Sequence, residues 1–126
     1  MSVTARIKLI SQADHAQELR GNVVRLSNSD DPLDLKAEIT TATCVELEFP
    51  SFTDGRAYSQ AYLLRRRLHF VGDLRATGDV LVDQLIQMER MGFSSAVLKE
   101  GIEVADAYRQ LQQFTGFYQR DVSGQS

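Results

Sequence analysis

FPSFTDGRAYSQAYLLRRR (residues 49–67) and GDLRATGDVLVDQLIQMERMGF (residues 72–93) decide the reading of this chain. Each holds a similar short punctuation, FPSFTDGR at 49–56 and LRATGD at 74–79. An apolar, strand-like run leads into each, and a helix-like run leads out. α/β proteins place ligands at such points, where the carboxyl ends of parallel strands face helix amino-termini. The place of a site is thus more legible than its chemistry.

The same alternation extends on both sides. Val23 to Leu26 is short and β-branched and predicts a strand. Ser27 to Pro32 is a turn cluster with ready helix caps. Leu33 to Thr41 then predicts a helix, with Leu35 and Ile39 at i, i+4. Cys44 to Phe49 predicts a strand that alternates Val45, Leu47 and Phe49 against Glu46 and Glu48, and Pro50 ends it. Ala57 to Phe70 is the clearest helix, with Ala57, Ala61, Leu64 and Leu68 in one stripe. Arg65, Arg66 and Arg67 crowd its far end, as the macrodipole favours. Gly72 to Arg75 predicts a third strand, and Val80 to Met91 a third helix stopped by Gly92. Ser95 to Leu98 and Glu103 to Phe114 complete the series as strand and helix. Before these, Val3 to Ile10 alternates loosely, as an edge strand or a mobile arm would, and Gln12 to Leu19 suits a short helix.

This reading gives a weakly patterned arm over 1–20, an α/β domain over 21–118 and a polar tail over 119–126. Four successive βα units imply a single domain with a mostly parallel sheet and right-handed crossovers. Two architectures fit, an open flavodoxin-like sheet and a half (β/α) barrel. A full barrel takes roughly 250 residues for eight units, so four units need about the length of this 126-residue chain. A half-barrel leaves sheet edges open and predicts a homodimer.

Composition narrows the function classes. Apolar content of 43% and charged content of 25% suit a globular core. The net charge of −3 argues against nucleic acid or an anionic membrane as partner. No apolar run reaches the roughly 20 residues of a membrane span, and the amino-terminus lacks a signal-peptide h-region; the expectation is a cytoplasmic protein. The one cysteine, Cys44, makes no internal disulfide and no thiolate cluster. His15 and His69 are far apart, so no metal site is expected. No cofactor is evident: glycine-rich phosphate loops, G-x-G-x-x-G and H-E-x-x-H are all missing.

The segments 49–67 and 72–93 resemble the bacterial domain-of-unknown-function 934 family. Members carry the label of an oxidoreductase involved in sulfite reduction, because they accompany assimilatory sulfite reductase. The resemblance implies a role in sulfur assimilation beside the sulfite reductase haemoprotein; it supplies no reaction and no catalytic residue. The chain departs from the family pattern in three places. Ala57 stands where glycine is common, Met91 where a cysteine is common, and His69 where a glycine or similarly small residue is expected.

Asp54, Arg56, Arg75 and Asp79 are the candidate catalytic residues, and Gly55, Arg56, Arg75 and Gly78 the candidate anion-binding ones. Each has a structural alternative. Asp54 and Asp79 can cap helices, a role worth about 1 kcal/mol, or act as acid, base or ligand anchor. Gly55 and Gly78 supply turn conformations with positive φ or let a ligand approach helix-terminal N–H groups. An arginine at a helix start opposes the dipole and asks for a reason. A shared small anion, such as sulfite, sulfate or phosphate, is one reason; a salt bridge to Asp54 or Asp79 is the other. Tyr58 and Ser59 line the same cleft or simply pack. Asp83 and Gln84 belong to a helix surface or an interface. Cys44 reads as a small core residue, and Arg65 to Arg67 as a solvated face or a dock for an acidic partner. Two functions follow: an accessory partner of sulfite reductase, or a stand-alone (β/α)-type enzyme acting on a small anionic substrate.

Overall fold

The structure, a computed structural model, describes residues 7–18, 21–51 and 53–113. Five strands form one all-parallel sheet: β1 (Lys8–Ile10), β2 (Val23–Leu26), β3 (Cys44–Phe49), β4 (Asp73–Gly78) and β5 (Ser95–Val97). The helices are α1 (Gln12–Gln17), α2 (Lys36–Thr40), α3 (Arg56–Tyr62), α4 (Leu85–Arg90) and α5 (Val104–Gln112). Short 3-10 turns, Pro32–Leu35 and Val82–Gln84, lead into α2 and α4, and α3 runs on as a π-helical turn, Leu63–Arg67.

The sheet order is β1-β5-β4-β3-β2. Strands β2 to β5 therefore lie side by side in chain order, as consecutive barrel strands do, and not in the 2-1-3-4-5 order of flavodoxin-like sheets. Three crossovers step in one direction, so right-handedness puts α2, α3 and α4 on one face. The connection from β1 to β2 steps back across the whole sheet, and α1 lies over the opposite face. Ile7 to Gln17, the described part of the expected arm, thus contributes both an edge strand and a helix; Met1 to Arg6 and the polar tail lie outside the described residues.

The period of two sorts each strand between these faces. Val45, Leu47 and Phe49 of β3, Leu74 and Ala76 of β4, and Ala96 of β5 pack with Ala57, Ala61, Leu64, Leu85, Met88 and Leu111 in one core. Each fully buried Leu or Phe there contributes roughly 1.5–3 kcal/mol relative to exposure. Phe49, Tyr58 and Phe93 meet edge-on or tilted at its centre, with ring centroids 5.2–6.3 Å apart. The other face carries Glu46, Arg75 and Ser95, all buried.

Several element boundaries differ from the sequence expectation. β4 runs from Asp73 through Gly78, because Thr77 and Gly78 continue the register opposite Glu48 and Phe49. The helices expected at Leu33 and Val80 begin as 3-10 turns; Pro32 sits at the first position of one, behind the cap Asp31, whose side chain accepts the Leu33 N–H. Gly92, with φ of 107°, ends α4 as expected. Arg65 leaves the solvated arginine run altogether. Its guanidinium donates to the carbonyls of Phe70, Gly72 and Gly92 at 2.8–2.9 Å and lies over the Phe70 ring.

On β1 the outward Leu9 N–H donates to the Tyr108 hydroxyl at 3.1 Å, and the Ile7 N–H just before the strand to Glu89 at 3.4 Å. That edge is capped by side chains.

His69 adopts φ of 56° at the turn after the π-helical segment. The left-handed region costs a side-chain-bearing residue about 1–2 kcal/mol, which accounts for the small residue expected there. His69→Gly is predicted to raise unfolding stability by about 1 kcal/mol, read as a higher urea midpoint at unchanged m. An unchanged or lower midpoint contradicts it.

Candidate functional site

Phe49 and Gly78 close the neighbouring strands β3 and β4, so Asp54–Arg56 and Asp79 follow carboxyl ends, but their charges are paired locally. Asp54 precedes Gly55, the N-cap of α3, and accepts the Arg56 N–H at 3.0 Å. It also takes the Arg56 guanidinium at 3.2 Å through both oxygens, and the Asn28 amide. These donors, the Arg56 backbone N–H first, hold the Asp54 carboxyl below its ordinary range. Gly55 has φ of −88° and open space where a Cβ would stand, so no positive φ explains it. Gly78 differs: its φ is 94°, and a Cβ there would stand 2.4 Å from the Phe49 carbonyl oxygen. Asp79 pairs with Lys99 Nζ at 2.9 Å, and its N–H donates to the Phe49 carbonyl.

Arg75 is the main correction. It does not open a helix. It is the third residue of β4, and because Leu74 and Ala76 point into the core, alternation turns Arg75 to the face under α1. Arg56, mounted on α3, stands in the opposite layer, so the sheet separates the two arginines expected to share an anion.

The Arg75 side chain is 3% exposed and engaged through all three guanidinium nitrogens. Its Nε donates to Ser95 Oγ at 2.9 Å, Nη2 to Asp73 at 3.0 Å, and Nη1 to Glu18 at 2.7 Å and His15 Nδ1 at 3.1 Å. An arginine only donates, so His15 Nδ1 accepts, which leaves a hydrogen for Nε2, 3.5 Å from Glu46. Glu46 also pairs with Arg25 at 3.2 Å. Burial opposes the Arg75 charge, but the Glu18 and Asp73 carboxylates outweigh it and raise its pKa. Burial likewise opposes ionised Asp73, yet the Ser94 and Ser95 hydroxyls and Arg75 hold its carboxyl below the ordinary range. The network is a chain of charge-assisted hydrogen bonds with both signs present.

The model of a bacterial protein family of unknown function, DUF934, matches residues 23–126. The chain belongs to this family. No curated protein and no solved structure matches it. The matched region begins at β2 and includes both punctuations, β4 and Arg75; β1 and α1 precede it.

Three residues were underread from sequence. Glu46 alternates with apolar neighbours and reads as a solvent-facing side chain, yet α1 buries it. Its signal was position: a parallel sheet is covered on both faces, so a mid-strand acid needs a partner. His15 supplies one from a region of weak pattern. Gln60 sits at the i+3 place of the Ala57 stripe, where a polar residue is out of pattern, and donates to the carbonyls of Ser27 and Asp30 at 2.7 and 2.8 Å. It ties the turn after β2 to α3. Tyr58 packs its ring, and burial raises its pKa. Cys44 is buried with its sulfur 3.8 Å from Asp73. No three His, Cys, Asp or Glu side chains group as metal ligands among the described residues, and no described helix is long and apolar enough to cross a membrane.

Asp73→Asn and Arg56→Ala separate the two regions. Asp73→Asn is predicted to cost about 2–3 kcal/mol, since it leaves a buried guanidinium short of charge, whereas Arg56→Ala is predicted to stay within about 0.5–1 kcal/mol. Asp73 and Asp54 both have folded pKa values below their unfolded ones. Their stabilisation is therefore complete above about pH 4–5 and is lost as pH falls through the folded values. Urea midpoints between neutral and acid pH check this, with a shallower acid loss predicted for Asp73→Asn.

Proposed function

We propose that this protein is a non-catalytic partner in assimilatory sulfite reduction, binding the haemoprotein subunit of sulfite reductase in the cytoplasm. The resemblance supplies the pathway. One observation favours partner over enzyme: Arg56 and Arg75, the cations expected to hold a small anion, are matched by Asp54, Asp73 and Glu18 of the same chain. A small-anion enzyme needs a cation left to meet its substrate. A protein partner instead needs surface, and α3 offers it. Tyr58, Ser59, Tyr62, Leu63 and Met91 line an open groove, with Arg66 over the ring of half-exposed Tyr62. Aromatic and arginine side chains of this kind dominate protein interfaces.

A homodimer belongs to the same reading. With the β1 edge capped by Tyr108 and Glu89, the pairing edge is β2. The second reading, an oxidoreductase or other (β/α)-type enzyme on a small anion, draws on the second face, where His15, Glu46 and Arg75 meet. It requires that His15→Ala or Glu46→Gln abolish activity at nearly unchanged thermal stability.

Co-purification with the sulfite reductase haemoprotein tests the first reading. Stoichiometric recovery is expected, reduced at least about tenfold by Tyr62→Ala with Arg66→Ala. No association, together with normal sulfite reduction in a strain lacking the protein, overturns it. Sedimentation of the isolated protein is expected to give a dimer, and a monomer contradicts the β2 pairing.

A further inference from the structure

The face under α1 has a cover that adds nothing to the core. None of the six residues of α1 is buried, and none belongs to the core cluster. It meets the sheet through polar contacts: His15 to Glu46 and Arg75, Glu18 to Arg75, and Gln12 Nε2 to the Leu98 carbonyl at 3.2 Å. The helix itself is fastened by Ser11, whose hydroxyl accepts the Asp14 N–H. Beneath it, the sheet keeps partners of its own. Arg75 holds Asp73 and Ser95, and Glu46 holds Arg25, without help from α1. Displacing α1 therefore breaks a few polar contacts that water can replace, while the apolar layer of α3, α4 and α5 stays closed. Local openings of this kind draw on segments with few buried apolar contacts.

We propose that α1 is a displaceable strap over the charged sheet face, clasped by His15 and Glu18, whose opening uncovers Arg75 and Glu46 without unfolding the domain. This goes beyond the sulfite-reduction reading and does not rest on it: the strap can open whether or not the haemoprotein is a partner.

The chain carries its own reporter. Cys44, its one cysteine, is buried on the same sheet face, in register with Asp73 and two residues before Glu46. Labelling of the folded, full-length chain with dithiobisnitrobenzoate measures how often that face opens. Global unfolding in urea, measured on the same protein, sets the rate expected from complete unfolding alone. Wild-type labelling is expected to run at least about tenfold faster than that rate. Glu18→Ala is expected to accelerate it by a further fivefold or about that, beyond any change in global stability. Lys99→Gln, which breaks the Lys99–Asp79 pair elsewhere, is expected to leave it unchanged. Labelling of both wild type and Glu18→Ala at the rate set by global unfolding overturns the proposal. Should Glu18→Ala fail to fold, His15→Ala gives the same comparison.

Discussion

A guanidinium buried in a parallel sheet is the constraint on which the rest of this molecule turns. Such sheets ordinarily present apolar side chains to both covering layers. Removing a charge from water costs several kcal/mol unless its hydrogen bonds are all remade nearby. At Arg75 four of the five N–H groups are met by four side chains from three elements: Asp73 two residues before it on β4, Ser95 on β5, and His15 and Glu18 on α1 or just after it. The geometry of the whole second face follows. Asp73 takes the Ser94 and Ser95 hydroxyls, Glu46 takes Arg25 and His15, and β1 pairs with β5 to carry α1 across the sheet.

The two faces therefore have different physics. One is an apolar layer built from βα units in chain order, with Phe49, Tyr58 and Phe93 at its centre. The other is a layer of matched charges closed by a short helix. The first sets stability and holds the strand ends in place. The second is where buried ionisable groups are concentrated, and Asp73 ties it to pH as Asp54 ties the strand ends. At the punctuations Arg56 pairs with Asp54 and Arg75 with Asp73 and Glu18, which is what favours surface over a cleft at Arg56 in the proposed function.

How far this was legible depended on how local the cause was. β2 and β3 matched their sequence bounds because β-branched runs and alternation act within a few residues. Gly92 and Pro50 did the same for ends. β4 reads as ending at Arg75 because Ala76 and Gly78 are weak strand formers and Thr77 stands alone between them; pairing with Glu48 and Phe49 extends it. Arg75 was misplaced for that reason, and its role went with it. The partners His15 and Glu18 lie 60 and 57 residues away in sequence, in a region with almost no apolar period, so nothing local announced them. Gln60 is the exception: a polar residue on an apolar stripe is itself a sequence signal of a buried hydrogen-bonding role.

The central claim is that Arg75 and Asp73 act as one unit holding the second face together. A double-mutant cycle on stability, with Arg75→Met, Asp73→Asn and the pair, tests it most directly. Strong coupling, about 2 kcal/mol or more, is predicted, with the double variant more stable than the sum of the singles implies. Effects that add within about 0.5 kcal/mol would contradict the account.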